Sequence, residues 1–487
     1  MRIVMMRCAA LIAVVSCGCA YDVDNGGAWV DPAPGDAAGM PTARWDGERA
    51  DFEGSPLERI EQRDPSTTCP DLGPNDRDGD GLSDAEEVTT DPCLADTDGD
   101  GVGDLVEVAY DAACATNARC QPPEMFHVIV LPPGERGTVH TPVRTRPRSV
   151  DLVVIADATE GLSEAREALS AALQPEALEL QDLAGDVFVG HGWAHRWAVN
   201  TTARPPFGLR EEPFANGAGS LASLLDDTNE FLGEVDAPSH ALALREALSR
   251  PSALPVGDGT FVDYDTVTCS SSDRIGGACR RDGALPIILH LGTHDFEWPV
   301  APVDAELLSA FQWSGARYVG VQVGPAGCVQ PGCPGMLSLG EATGSVDLYG
   351  APFVSDSANA SPEELSSKLR ELLLRSVMEA RTSVHPRLGE GAPFDVAMRV
   401  CRPSDGVTCV APRPGISLEE SVREATSDGG FDGVVPGTRV TFAIEVENLE
   451  VETQADSQQY RFPVQAIGAG ASLLDEVEVH VLVPASR

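Results

Sequence analysis

The chain is short of positive charge. Its 487 residues carry 34 Lys and Arg against 76 Asp and Glu, a formal net charge of −42. A polyanion of this kind repels nucleic-acid phosphates and anionic lipid head groups, so nucleic acid is excluded as a partner, while cations are attracted. Long apolar runs are missing beyond the N-terminus, so no internal segment reads as a membrane-spanning helix. There is no CxxC pair, no HExxH, no GxSxG elbow and no Walker A loop. Their absence argues against zinc-finger, zinc-protease, serine-hydrolase and phosphate-loop chemistry. Hydrophobic residues make up an ordinary 42%, so folded parts are expected, and the length suggests about three domains with linkers.

The first residues are a targeting segment. "MRIVMMR" supplies Arg2 and Arg7, and "CAALIAVV" is a short apolar core, too short to span a bilayer. The following "SCGCA" resembles a bacterial lipoprotein signal, in which a small residue precedes a cysteine that becomes lipidated. Residues 1–19 are read as that signal. Two acceptors stay open. Cys17 has the better upstream match in Val14-Val15-Ser16, whereas Cys19 has Gly18 before it. The alternative is an ordinary cleaved signal. Residues 20–68, rich in Asp, Gly, Pro and Ala without periodicity, read as a disordered tether.

Ten cysteines follow the signal: Cys69, Cys93, Cys114, Cys120, Cys269, Cys279, Cys328, Cys333, Cys401 and Cys409. Short spacings and even number in an exported chain read as disulfides. The near pairs are Cys114/Cys120, Cys269/Cys279, Cys328/Cys333 and Cys401/Cys409. Cys69 and Cys93 bracket an acidic stretch, and the pairing among the first four cysteines stays open.

That stretch is "DRDGDGLSDAEE", and it returns twenty residues later as "DTDGDGVGDLVE". Each fits the calcium-loop spacing D-x-D-x-D-G-x5-E. In such a loop, side chains at positions 1, 3, 5 and 9, a carbonyl at 7 and a bidentate Glu at 12 surround a hard cation. The first set is Asp76, Asp78, Asp80, Asp84 and Glu87 with the Leu82 carbonyl. The second is Asp96, Asp98, Asp100, Asp104 and Glu107 with the Val102 carbonyl. Gly81 and Gly101 occupy position 6, where a sharp turn favours a residue without Cβ. A merely solvated acidic run would show no fixed offsets. Calcium, with six to eight oxygens and tolerant geometry, suits this set better than magnesium.

"CPDLGPN" ahead of the first loop has two prolines and a glycine, so no entering helix is expected, unlike an EF-hand. The loops and the linking "TTDPCLADTDGDG" resemble thrombospondin type 3 repeats of the bacterial kind, over residues 69–121. That resemblance implies a calcium-bound repeat stalk with little hydrophobic core. Metal binding and folding are then one event, and chelation is expected to loosen this segment alone.

From 149 the texture becomes α/β. "SVDLVVIAD", "DVFVGHGWA", "ALPIILHLG" and "ARYVGVQVG" read as strands. "EGLSEAREALSAAL", "SLASLLDDTNEFL", "SHALALREAL" and "SPEELSSKLRELLLRS" read as helices. The alternation argues for a mainly parallel, doubly wound sheet. Residues 250–283, Gly- and Ser-rich, interrupt it as a surface insertion. The order of elements over 149–380 resembles a von Willebrand factor type A domain, a family that often carries a metal-ion-dependent adhesion site. The resemblance assigns Asp157, Thr159, Asp236, Ser239 and Asp295 to that site. The match is broken: Gly161 replaces a Ser, Thr293 stands where an Asp is expected, and Asp295 is displaced by two. The expectation is a degenerate site at which Mg²⁺ or Mn²⁺ binds weakly or not at all.

Residues 385–487 alternate again, in "TRVTFAIEVEN" and "EVEVHVLV", as half-buried antiparallel strands of a β-sandwich do. His290 and His294, and His191 and His195, are spaced as i, i+4 pairs, but at strand ends or loops rather than on a helix, so a zinc hydrolase is disfavoured. The sequence therefore reads as a non-catalytic, calcium-binding lipoprotein of the bacterial envelope, at the outer membrane or cell surface. It would touch membrane only through its anchor and bind a protein or extracellular ligand through the type A domain. An envelope spacer with an inert type A domain is the structural alternative. If the signal is of lipoprotein type, mass spectrometry of the mature N-terminus will find a diacylglyceryl cysteine at Cys17 or Cys19. An unmodified N-terminus beyond Tyr21 would refute it.

Overall fold

The structure, a computed structural model, describes residues 75–97, 102–111, 126–157, 179–180, 184, 186–194, 207–214, 240–249, 253–255, 261–263, 269–272, 274–292, 303–323 and 333–486. The signal, the tether, Cys69, Cys114, Cys120, Cys328 and the helices expected at 160–173 and 220–232 lie outside them. The fold is mixed α/β, built on three main sheets.

Strands β1 (Phe126–Val130) and β2 (Arg136–Arg144) come first. Then follow β3 (Ser149–Asp157), β4 (Asp186–Ala194) and β5 (Phe207–Phe214). Two short hairpins, β6 (Ala253–Pro255) with β7 (Phe261–Asp263) and β8 (Arg274–Ile275) with β9 (Arg280–Arg281), precede β10 (Leu285–Gly292). β11 (Arg317–Gln322) and β12 (Val354–Asp356) complete a six-stranded sheet in the order β12-β11-β10-β3-β4-β5. All its neighbours are parallel except β5, which runs antiparallel to β4 at the edge. Counted within this sheet the order is third, second, first, fourth, fifth, sixth, the doubly wound arrangement.

The central strands β3 and β10 read as unbroken apolar runs because both faces are covered. Val150, Leu152 and Val154 pack with Leu365, Leu369, Leu372 and Val377 of the helix Pro362–Met378. The alternate residues Val153 and Ile155 pack on the other face with Leu244, Leu248, Leu307, Phe311 and Met336. These come from the helices His240–Ser249, Val303–Ser314 and Pro334–Ala342. Ser361 and Glu364 start the 362–378 helix with a reciprocal capping box, which satisfies backbone donors the helix cannot.

The 250–283 insertion departs from expectation over residues 276–280, which are buried. Ala278 and Cys279 are fully buried, and the Cys269–Cys279 disulfide closes the loop. The N–H groups of Gly277 and Ala278 donate to the carbonyls of Glu246 and Ala247 at 3.1 and 2.9 Å, supplying partners for helix-terminal carbonyls. Gly276, at φ +74°, lies where a Cβ would come within 2.6 Å of the Leu248 carbonyl oxygen. Arg281 then spans to β3, its Nε 2.7 Å from the buried Asp151 carboxylate.

The remaining strands are β13 (Thr382–Leu388), β14 (Asp395–Val400), β15 (Val410–Ala411), β16 (Glu424–Ala425), β17 (Phe431–Val434), β18 (Arg439–Glu447), β19 (Gln458–Gly468) and β20 (Leu473–Val483). One sheet runs β1-β20-β19-β13-β17-β16, and in the other β18 lies between β2 on one side and β14 with β15 on the other. Both contribute to one apolar core, with Val139, Phe442 and Ile444 meeting Phe462, Val464, Val479 and Val481. Residues 385–487 therefore do not make these sheets alone. β1 pairs in parallel with β20, and β2 pairs antiparallel with β18 over nine residues. The doubly wound region is inserted between β2 and β13. The sequence hid this because the partners of β1 and β2 lie some three hundred residues downstream, where no local period reaches.

Backbone contacts lock the two regions together. Gly470, at φ +64°, has no room for a Cβ, which would fall 1.9 Å from the Ser314 carbonyl oxygen. The Thr145 hydroxyl donates to the Thr438 carbonyl at 2.7 Å beside the first crossing. Arg413 reaches the Met378 carbonyl beside the second, at 2.6 Å. Among the described residues no helix is long and apolar enough to cross a membrane.

Candidate metal centre

The two acidic loops share backbone hydrogen bonds at equivalent positions, although only the second runs on into a helix. The N–H of Asp84 donates to the Asn75 carbonyl at 2.8 Å, and that of Asp104 to the Ala95 carbonyl at 3.0 Å. The N–H groups of Glu87 and Glu107 donate to Ser83 and Gly103, each at 3.2 Å. A twenty-residue offset in sequence is thus a repeat in backbone geometry. Asp98, Asp100 and Gly101 lie outside the described residues.

In the first loop the backbone winds around its own carboxylates. Asp76 accepts from the N–H groups of Gly79 and Gly81 at 2.7 and 3.2 Å. Asp80 accepts from Leu82 N–H at 2.7 Å and, from the second loop, Leu105 N–H at 3.1 Å. Gly79 and Gly81 take φ of +83° and +96°, which side chains rarely adopt. At Gly81 a Cβ would also sit 2.7 Å from Pro484.

Asp76, Asp78 and Asp80 each bring a carboxylate oxygen into one cluster, within 4.8 Å of one another, and all three are buried. Glu87 is only 7% exposed. Neither of its oxygens, nor Oδ2 of Asp78, has a hydrogen-bond partner. Burial, then Asp78, Asp104, Asp84 and Asp76, push the Glu87 carboxyl up to about 8. Burial lifts Asp78 to about 6, helped by Asp76, Asp104 and Asp84. Burial, and then Asp78, hold Asp80 well above the usual carboxylate range. Buried, mutually repelling carboxylates with idle oxygens are costly unless protonated or bound to a cation. The donors are all oxygen, which fits a hard divalent ion and not a soft one.

The position-9 residues have a further duty that the spacing did not disclose. Asp84 accepts from Arg77 N–H and Nε at 3.0 and 2.6 Å. Asp104 accepts from Thr97 N–H and Oγ1 at 2.8 and 2.7 Å. Each staples position 9 to position 2 of its own loop. Asp104 also opens the helix Asp104–Asp111, which the sequence reading missed, and through the field it exerts on Asp78, Asp80 and Glu87 it faces the first loop. Glu107 is buried on that helix and Val102 half-buried before it, while Asp96 is half-buried.

The segment is not free-standing. Leu82, Leu105 and Val106 bury themselves against Val128 of β1 and Leu482 of β20. The expectation of a stalk with too little hydrophobic core to hold itself by burial is therefore corrected. The apolar residues are few, but they share a core with the sheet. Glu86, outside the ligand pattern, accepts from Ser457 N–H and Oγ at 2.9 and 2.8 Å. Burial raises its carboxyl, but these bonds and those from Ser83 outweigh it and hold Glu86 below its ordinary value.

For the type A site, the backbone of Asp157 ends β3 beside the end of β10, Ala156 being in register with Leu291. Between them the strand order reverses, where open α/β sheets bind ligands. Thr159, Gly161, Asp236, Ser239, Thr293 and Asp295 lie outside the described residues, as do His195 and His294. His290 and His191 are interior. His290 Nε2 lies 2.7 Å from His240 Nδ1, and its Nδ1 lies 2.9 Å from the Tyr318 hydroxyl. The spacing of histidines in sequence gave no hint of this His240–His290–Tyr318 chain. Disulfides join Cys269 to Cys279 and Cys401 to Cys409. Cys93 and Cys333 are also disulfide-bonded, to partners outside the described residues.

No protein-family model matches the chain, and no curated protein does. Among solved structures it is similar to a von Willebrand factor type A protein from Catenulispora acidiphila, at 14% identity and TM-score 0.32, covering 74% of this chain and 72% of that one. It is also similar to the pilus adhesin SpaC from Lactobacillus rhamnosus GG, at 10% identity and TM-score 0.29, covering 71% of this chain and 46% of that one. The human COPII-coat protein Sec24c is a further likeness, at 9% identity and TM-score 0.31, covering 70% and 44%. The chain thus spans less than half of the last two.

The histidine chain carries a pH dependence. Burial, and then His240, hold His290 well below its ordinary value of 6.5. As pH falls below that value the unfolded chain takes up a proton that the folded one refuses, so stability drops toward acid. Urea midpoints in saturating calcium will be lower at pH 5.5 than at pH 7.5, and less so in His290→Gln. A midpoint that rises toward acid in the native chain would contradict the assignment.

Proposed function

We propose that this chain is a calcium-binding protein of the bacterial cell envelope, carried on a lipid-modified cysteine, and that it binds protein partners through its doubly wound region. The observation that carries the calcium reading is the Glu87 carboxylate. It is buried with both oxygens idle, and the charges of Asp78 and Asp76 from the aspartate cluster bear on it. A bound divalent ion would give those oxygens their partner and relieve the repulsion among the acids. Ca²⁺ is preferred over Mg²⁺ because so many protein oxygens converge, whereas Mg²⁺ keeps more of its water. In this reading the acidic segment is a joint set by the cation on the sheet surface, and the repeats resembling thrombospondin type 3 are its two halves. Isothermal calorimetry on the mature chain tests it. Calcium will bind, and Glu87→Gln will weaken it at least about tenfold, while equal affinity in the two chains would sink the assignment.

The partner-binding reading rests on the strand-order reversal between β3 and β10, the place where open α/β sheets present loops to ligands. Binding rather than catalysis is preferred because His191 and His290, the described member of each candidate pair, are committed to the interior. Magnesium or manganese at the type A position is proposed to be weak or absent, given Gly161 and Thr293. An immobilised mature chain will retain a protein partner, and retention will fall when the loops ending β3 and β10 are replaced by glycine-serine linkers. Retention untouched by that replacement would move the partner site elsewhere.

A further inference from the structure

The residues of the acidic cage and the residues that dock it on the sheet alternate along the chain. Asp80 belongs to the cage. Gly81 next to it accepts from Ala485 N–H through its carbonyl, at 2.8 Å. Leu82, next again, buries its side chain against the sheet. Glu87 belongs to the cage, and its neighbour Glu86 is bonded to Ser457. Leu105 gives its N–H to Asp80 and its side chain to the apolar contact. Beyond it, the Ala109 carbonyl accepts from the Gln459 side chain of β19 at 3.0 Å.

The surface beneath is the outer face of the sheet. Ile129, Val479, Val481 and Val483 point into the core between the sheets. By the two-residue period of a strand, Val128 and Leu482 point outward. They are 2% and 1% exposed because Leu82, Leu105 and Val106 cover them.

We infer that the cation is the clasp of a lid: bound, it holds residues 75–97 and 102–111 over the outer face of β1, β20 and β19, and removed, it releases them and uncovers Val128 and Leu482. This rests on the calcium reading above. Without the ion, Asp76, Asp78, Asp80 and Glu87 repel at short range in a dry site. Relief comes from protonation or from separation into water, and in separating, Asp80 and Glu87 drag their docking neighbours Gly81, Leu82 and Glu86 with them. The two-sheet core does not share this dependence, since its apolar residues lie on the opposite face. Calcium level thus sets how much apolar surface the protein shows.

Thiol labelling of the mature chain tests this. Val128→Cys will be protected from maleimide in calcium and labelled roughly 5- to 150-fold faster in chelator, the range of an ordinary coupling between sites. Val479→Cys, on the inner face, will stay protected in both. Calcium that fails to bind by calorimetry would overturn the calcium reading itself. Calcium that binds while Val128→Cys labels equally fast with and without chelator would overturn the clasp alone. Glu86→Ala, which removes no cage residue, gives the reciprocal test: coupling requires it to weaken calcium binding by a similar factor, and unchanged affinity would overturn the clasp. Should Val128→Cys and Val479→Cys both label in calcium, the sheet has failed in those variants, and Glu86→Ala decides.

Discussion

Strand β20 has almost no side left for water over its last turn of sequence. From Val479 to Val483 every residue is buried. Val479, Val481 and Val483 enter the core between the two sheets, while Leu482 meets the acidic segment on the other face. Its edges are taken as well, by β19 on one side and β1 on the other. The doubly wound region joins the same two-sheet core, since the Leu473 N–H at the head of β20 donates to the Gly283 carbonyl at 2.8 Å. One strand near the end of the chain is therefore where the acidic loops, the two-sheet core and the inserted region meet.

The parts of this that were legible in sequence are those with a local period. β3, β4, β10 and β11 stood out as apolar runs because covered central strands need apolar residues on both faces. β18 and β20 stood out by alternation, and the helices 240–249 and 362–378 by their spacing. The acidic loops were legible as a repeat because the same residue types return at the same offsets, twenty residues apart. Cys269–Cys279 and Cys401–Cys409 were legible because the two cysteines of each pair lie close in sequence. Even the double burial of β20 left a trace: "VHVLV" puts Leu482 on the face where a half-buried strand would place a polar residue.

What stayed hidden depends on partners far apart. β1 is five residues long, and only its parallel register with β20 makes it a strand of that sheet. The acidic segment has few apolar residues, and their worth comes from Val128 and Leu482, which no window on the segment contains. Asp84 and Asp104 matched a ligand position by spacing, while their bonds to Arg77 and Thr97 depend on how the loop turns. His290 read as a strand-end residue until the 240–249 helix laid His240 beside it. The type A residues remain a matter of resemblance, with only the Asp157 backbone placed at the carboxyl end of β3.

The insertion of the doubly wound region between β2 and β13 has a mechanical consequence. A pull applied to the chain ahead of β1 and resisted within the doubly wound sheet would pass along the chain through β1 and β2, with the contacts between the two regions sharing the load. Neither strand peels in that direction. β1 runs alongside β20 through five registered residues, and β2 alongside β18 through nine. Tension along the strand axis loads such ladders in shear, with the cross-strand bonds strained together instead of opening one after another. The topology that made these two strands hard to find in the sequence also places them as the grip between the front of the chain and the inserted sheet.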